Sequence, residues 1–390
     1  MYTIGEDVDD EYWCVAAPQS IRAMLNVQQD QMRVLDTGRS NFVYAVVFHP
    51  DGKHLLSGNE DGVQRWRLAD GQEVGRQTGM DLRTISVSRE GNWIVCGTLE
   101  GASVWDGEIH AKVVDVEGGN GMAATDVSPD STKFATGTGR PDNTVSIWSI
   151  TTGQRLVGPL QHDSRVSAIK FSPGGEHIAI ASRLHAICVF DSRNGDKLIT
   201  VDAVIPQWSP ITPLAWSSDG QRIVSACRDN KIRAFDSTGS QLAESQILGD
   251  GSTGHNVYSI ALAANGKFVA SLTSQSTSFL DTSTLEQIGP VIKDSQQMRS
   301  IAMSPNSKYL ATGKRDGKIL IQDLGNILPD SYGPFHVSSV CLRHSGMLDT
   351  PHPVPHADKL LRCSLVKTYN KTQNRLHRGA TTTMGQALTL

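Results

Sequence analysis

The side chains that could perform chemistry are present in this chain, but their spacing matches no catalytic or metal-binding arrangement. Residues 313–318 (GKRDGK) contain Gly and Lys without the GxxxxGK[ST] spacing that cradles phosphates. Residues 352–356 (HPVPH) hold two histidines, but the prolines exclude the helix that would place both rings on one face. His162 has no nucleophile partner in its sequence context, so we interpret it as a structural residue. The sequence therefore predicts no catalytic residue, no metal site and no cofactor.

The dominant pattern of the chain is instead a ten-residue phrase that recurs seven times. Residues 43–52 read VYAVVFHPDG, and residues 166–175 read VSAIKFSPGG. The copies begin 39 to 46 residues apart, at Val43, Leu82, Met122, Val166, Ile211, Val257 and Met298. A period of this length indicates an array of equivalent supersecondary units.

Each repeat has the pattern of four short strands joined by tight turns. In the first repeat, β-forming runs at residues 43–48, 54–58 and 63–68 are separated by HPDG and EDG turns, and a fourth strand begins near Glu73. One four-stranded sheet cannot bury both of its faces, whereas sheets packed face to face around a ring can. The sequence therefore predicts an all-β fold, a seven-bladed β-propeller.

The repeats resemble those of the WD40 family. Their first strand and turn are similar to the family's xxIxFSPDG phrase, and the third strand ends in an aromatic residue and Asp at Trp105-Asp106, Phe190-Asp191 and Phe235-Asp236. The resemblance covers roughly residues 43–328. It implies a seven-bladed WD40 β-propeller. A weaker resemblance is to the propellers of fungal WD40 proteins, including those joined to NACHT NTPase modules, and this sequence contains no such module.

The chain departs from the hydrogen-bond network, His–Ser/Thr–Asp–Trp, that WD40 blades often share. Only His162 occupies the His position, and Leu184 stands where the same blade would carry the Asp. We therefore expect packing, rather than this network, to stabilise the blades.

We expect three segments along the chain. Residues 1–30 form an N-terminal extension, residues 31–338 the propeller, and residues 339–390 a basic, disordered tail in which seven Lys and Arg oppose two Asp. In WD40 proteins one blade usually takes its outer strand from the opposite terminus. We predict that residues 31–38 (QMRVLDTG) are this closing strand and complete the blade built from residues 298–323.

The resemblance also indicates a binding surface. In WD40 proteins the top face is formed by the loops that enter each first strand and by those that join the second and third strands. The position after the first residue of the phrase is large on four adjoining blades, as Tyr258, Arg299, Tyr44 and Arg83, and small on the other three. Tyr and Arg are favoured at binding hot spots. The candidate partner-binding residues are Phe42, Tyr44, Arg83, Arg165, Trp208, Tyr258 and Arg299.

A plainer interpretation of these residues stays open at this stage. The tyrosines could pack within the mouth of the central channel while the arginines are only solvated. Trp208 lies in a loop between Pro206 and Pro210 and could cover an edge of the propeller instead of anchoring a ligand.

We predict a non-catalytic scaffold that binds other proteins or peptides through its top face. The net charge of −4 argues against nucleic-acid binding, and no apolar run is long enough to span a membrane. Scattered cysteines without a CxxC pair favour a cytoplasmic protein, with the nucleus as the alternative location. The alternative functions are a ligand-sensing propeller fragment of a fungal NACHT-WD40 protein and an enzyme with its site in the central channel. The sequence indicates no oligomeric state.

Overall fold

A computed structural model of the chain describes residues 32–38, 42–117, 121–182, 187–201, 214–226, 230–246, 248 and 257–332. Two compact units span residues 1–336 and 337–390, and the second unit lies outside the described residues, together with the predicted disordered tail. No helix among the described residues is long and apolar enough to cross a lipid bilayer.

The described residues form seven antiparallel sheets of four strands each. The strands of the first three blades are β2 (Ala45–Phe48), β3 (His54–Asn59), β4 (Gly62–Arg67) and β5 (Glu73–Thr78); β6 (Leu82–Val87), β7 (Trp93–Thr98), β8 (Gly101–Asp106) and β9 (Lys112–Glu117); and β10 (Met122–Val127), β11 (Lys133–Thr138), β12 (Thr144–Ser149) and β13 (Arg155–Gln161). Blades four and five contain β14 (Val166–Phe171), β15 (His177–Ser182), β16 (Ile187–Asp191) and β17 (Lys197–Val201); and β18 (Leu214–Trp216), β19 (Arg222–Ala226), β20 (Ile232–Asp236) and β21 (Gln241–Glu244).

The ring ends with blades six and seven. Blade six contains β22 (Ser259–Leu262), β23 (Phe268–Leu272), β24 (Ser276–Asp281) and β25 (Ile292–Lys293). Blade seven contains β26 (Met298–Met303), β27 (Tyr309–Lys314), β28 (Lys318–Asp323) and, from the other end of the chain, β1 (Met32–Asp36); a 3₁₀ turn covers Leu324–Asn326. The first strands of neighbouring blades pack against each other all the way around, with β26 beside β2. The predicted seven-bladed β-propeller is confirmed.

The strand β1 closes the ring by pairing antiparallel with β28, with Val34 opposite Leu320. The alternation of a strand turns Leu35 into the interface between blades seven and one, where it packs with Ile319, Ile321 and Trp66 and is 4% exposed. Val34 points the other way and is 56% exposed. One face of β1 therefore completes a hydrophobic core.

The blades approach closely because β27, like several second strands, carries a glycine where the next blade begins. A Cβ added at Gly313 would lie 2.8 Å from Cγ1 of Val43, the first residue of the repeated phrase in blade one. A Cβ added at Gly137 would lie 2.5 Å from Cγ1 of Val166 in blade four. The phrase therefore begins with an apolar residue that fills the space left by a glycine in the preceding blade.

The turns between first and second strands are held by their own side chains, as the sequence indicates. In blade one, Oδ1 of Asp51 accepts hydrogen bonds from the backbone N–H groups of Lys53 (2.7 Å) and His54 (3.1 Å), and Gly52 takes φ +65°. These turns lie at the bottom of the propeller, so the opposite, top end presents the loops that carry the candidate site.

Candidate functional site

The candidate residues project at the top of the propeller because of the pleat of the first strands. In the six blades where the first residue of the phrase is described, that residue is fully or almost fully buried between blades, as at Val43, Leu82, Val257 and Met298. The residue that follows must point to the other side of the strand, towards the mouth of the central channel. Tyr44, Arg83, Tyr258 and Arg299 occupy this position and are all half-buried.

Arg299 links blade six to blade one. Its guanidinium carbon lies 5.3 Å from the ring centroid of Tyr258 and 5.2 Å from that of Phe42. Both distances are in the range of cation–π attraction. The residue of blade seven therefore holds together two aromatic side chains from the blades on either side of it.

The contacts continue from blade one to blade two. Phe42 and Tyr44 stack with their centroids 5.8 Å apart and their planes 27° apart. The guanidinium carbon of Arg83 then lies 4.7 Å from the Tyr44 centroid. Five side chains from four blades thus form one continuous chain of rings and guanidinium groups.

The structure adds a sixth member that the sequence analysis missed. Arg315, in the turn between β27 and β28, places its guanidinium carbon 4.9 Å from the Phe42 centroid and donates a hydrogen bond to Oε1 of Gln297 (3.0 Å). The turn between second and third strands is part of the top face, so an arginine there was a usable signal. We call the six residues the aromatic–arginine arc: Phe42, Tyr44, Arg83, Tyr258, Arg299 and Arg315.

Carboxylates contact the polar groups at one end of the arc. Tyr44 donates a hydrogen bond from its hydroxyl to Oε1 of Glu60 (2.7 Å), and Arg83 pairs with Oδ2 of Asp81 (2.8 Å). Burial, together with the hydrogen bond to Glu60, raises the pKa of Tyr44. Burial opposes the charge of Arg83, yet the bonded Asp81 keeps the pKa of the guanidinium above its ordinary value. The blade-two end is therefore a hydrogen-bonded cluster in which two carboxylates oppose one guanidinium group.

The two other predicted binding residues do not join the arc. Arg165 is exposed at the entrance of blade four, where its side chain lies against Gly139 of blade three. Trp208 lies outside the described residues. The structure therefore brings together five of the seven predicted residues and adds Arg315.

A second cluster, also missed from the sequence, lies at the bottom of blade one. Oδ2 of Asp51 lies 3.1 Å from Nδ1 of His49 and 2.6 Å from Nδ1 of His54, an arrangement that could ligate a metal ion. However, Nη2 of Arg65 lies 3.3 Å from the same His54 nitrogen and 3.9 Å from the same Asp51 oxygen. Although burial opposes ionisation, the hydrogen bond from His54 lowers the pKa of Asp51. Arg65 also bonds Gly107 and Glu108, so the cluster ties blade one to blade two.

The central channel has a cavity of about 410 Å³, and Tyr44 and Arg83 stand at its lining. Within it, Nζ of Lys170 and Oδ1 of Asp126 form an ion pair at 2.7 Å. The backbone N–H of Phe171 also donates to this aspartate (2.8 Å). These charges satisfy one another, and most of the remaining lining side chains are apolar or hydroxylic.

The chain is similar to known repeat proteins. The family described as WD domain, G-beta repeat matches residues 30–63, 154–191, 207–236 and 290–323. Eukaryotic translation initiation factor 3 subunit I of Scheffersomyces stipitis is 27% identical over 252 residues, which cover 60% of this chain and 71% of that protein. A subunit of chromatin assembly factor 1 from Gallus gallus is 29% identical over 154 residues, 39% of this chain and 24% of that protein.

A third relative spans most of the chain. WD repeat-containing protein 1 of Gallus gallus is 20% identical over 368 residues, which cover 89% of this chain and 57% of that protein. The seven four-stranded blades, the recurrent phrase and these similarities agree with one another. The chain belongs to the WD40-repeat β-propeller family.

Proposed function

We propose that this protein is a non-catalytic scaffold that binds another protein or peptide through the aromatic–arginine arc. The observation that carries the proposal is the continuity of the arc, in which rings and guanidinium groups from four adjoining blades contact one another in succession. Such side chains present a large contact area and lose little conformational freedom when they bind.

The names of the relatives support an assembly role. Two of them are named as subunits, one of a translation initiation factor and one of a chromatin assembly factor. A rigid ring with a patch of pre-stacked residues on one end suits such a role, since the patch needs little rearrangement to meet a partner.

The described part of the channel favours binding over catalysis. An enzyme in the channel would need converging acids, bases or nucleophiles whose charges are not already paired. The ion pair of Lys170 and Asp126 is instead closed by its own hydrogen bonds. No observation favours the sensor fragment over a scaffold.

Affinity capture followed by mass spectrometry tests the proposal. The tagged wild-type protein is compared with the double variant Tyr44→Ala/Arg299→Ala, and we expect the variant to lose the proteins that the wild type captures. The matched control is Arg67→Ala/Arg193→Ala, which alters two exposed arginines at the bottom of blades one and four, one at the end of β4 and one in the turn after β16. A third variant, Arg165→Ala, reports whether the footprint reaches blade four.

Thermal unfolding of each variant must match the wild type before its captures are compared. Capture that is the same for the arc variant and the wild type would refute the arc as the binding surface. A loss that is equally large in the bottom-face control would have the same meaning.

A further inference from the structure

Positive charge is distributed unevenly along the arc. Arg83, at one end, is paired with Asp81 and lies 3.9 Å from Glu60. Arg299 and Arg315, at the other end, have no carboxylate within ion-pair distance among the described residues. Their neighbours in the sequence are occupied elsewhere: Lys314 pairs with Asp294 at 2.6 Å, and Asp316 lies 4.0 Å from Lys318.

The two unneutralised guanidinium groups share one aromatic ring. Their central carbons lie 5.2 Å and 4.9 Å from the centroid of Phe42, so they can be no more than about 10 Å apart. Two neighbouring anionic groups on an extended peptide can therefore reach both. Gln297, which accepts a hydrogen bond from Arg315, holds that guanidinium in place.

Stacking on a ring leaves a guanidinium group able to bind anions. The face of the planar group contacts the ring, while its N–H donors point outwards in the plane of the fork. These donors match the oxygen atoms of a carboxylate or phosphate in a bidentate arrangement. Contact with Tyr258 and Phe42 also limits the rotamers of Arg299, which lowers the entropy that binding must take from this side chain.

We propose that Arg299 and Arg315, which both contact the ring of Phe42, form a subsite for anionic side chains of the partner peptide, either carboxylates or phosphorylated residues. This inference rests on the proposed binding role of the arc and specifies the chemistry of what binds there. The blade-two end of the arc, where Arg83 is paired with Asp81, contributes aromatic contact area and no unpaired positive charge.

Fluorescence anisotropy with three synthetic octapeptides tests this subsite. One alternates Gly and Glu, the second has phosphoserine in place of Glu, and the third has Gln in place of Glu. At low ionic strength, about 50 mM, where charge attraction is little screened, we expect the wild-type protein to bind one or both anionic peptides and not the Gln peptide. The tighter of the two anionic peptides identifies the source of the charge.

The variants locate the binding on the surface. We expect Arg299→Gln/Arg315→Gln to weaken anionic-peptide binding about tenfold or more. Arg67→Gln/Arg193→Gln removes the same number of charges from the bottom of the propeller and should leave binding unchanged. Phe42→Leu keeps an apolar side chain but removes the ring, and should weaken binding because the guanidinium groups are no longer held.

Three results would overturn the subsite. They are equal binding of the Gln peptide, no binding of either anionic peptide, and an equal loss of binding in the bottom-face variant.

Failure of the subsite is distinct from failure of the scaffold proposal. If protein capture depends on Tyr44 and Arg299 while anionic peptides do not bind, the arc is a docking surface of another chemistry. If anionic peptides bind while capture is unaffected by the arc variant, the scaffold proposal fails and the subsite stands.

Discussion

His162 is a buried ionisable residue in blade four with an unsatisfied ring nitrogen. Its ring packs edge-on against Phe190, with 5.7 Å between centroids, and is 8% exposed. Nε2 has no hydrogen-bond partner among the described residues. The sequence analysis interpreted this residue as structural, and its packing is consistent with that role. Burial, with a smaller contribution from Lys197, lowers its pKa to about 4.

This lowered pKa predicts a loss of stability in mild acid. In the unfolded chain the pKa of a histidine is about 6.5, so between that pH and about 4 the unfolded state binds the additional proton. The free energy of unfolding should therefore be unaffected by His162 near pH 7 and fall by about 2 kcal/mol by about pH 5. Urea unfolding of the wild type and of His162→Gln at both pH values measures this. If the free energy of unfolding falls equally in both proteins from pH 7 to pH 5, His162 is not the source of the acid sensitivity.

At the residue scale, the sequence identified which residue types occupy the proposed binding surface, but it did not identify all the side chains that contact one another there. The position that holds Tyr44, Arg83, Tyr258 and Arg299 could be read from the repeat alone, because the pleat makes equivalent positions point the same way. Arg315 could not be linked to Phe42, since their contact crosses the seam where the two ends of the chain meet. The bonds of Asp51 to His49 and His54 lie within one turn, so the spacing of these residues was a signal that the sequence analysis did not use.

At the scale of elements, turn chemistry and strand alternation account for most of what was predictable. The turns with Asp, Gly and Pro separate strands close to the expected bounds, and the fourth strand of blade one begins at Glu73. The pairing of β1 with β28 links positions near opposite ends of the described chain. Local sequence patterns cannot predict a pairing between such distant segments, and only the family resemblance suggested it.

The two faces of β1 provide a test of its role. Leu35→Asp places a charge in the core between blades seven and one, beside Ile319 and Trp66. Loss of apolar packing and burial of the charge should together lower the free energy of unfolding by at least about 3 kcal/mol. The matched control, Val34→Asp, lies on the exposed face of the same strand, and should change it by no more than about 0.5 kcal/mol. Urea unfolding compares the three proteins, and similar effects of the two substitutions would contradict the packing role.

At the scale of the whole propeller, each described blade packs its faces against the two neighbouring blades. No described blade therefore has a hydrophobic core of its own. The core clusters are shared between adjacent sheets: Val43, Leu55 and Trp66 of blade one pack with Ala311 and Ile319 of blade seven. The asymmetry that the sequence revealed is visible here as well. The arc spans blades six, seven, one and two, and therefore crosses the seam closed by β1.

Removal of the closing strand should therefore destabilise the entire ring. In a variant without residues 1–38, β28 loses its antiparallel partner and the core between blades seven and one loses Leu35. The control variant lacks only residues 1–30 and retains β1. We expect the backbone amides of the shorter variant to lose protection from hydrogen exchange in β28 and also in β15 of blade four, across the ring. Aggregation of this variant is the other expected outcome. A soluble, cooperatively unfolding variant whose blade-four protection equals that of the control would show that the blades are stable without closure.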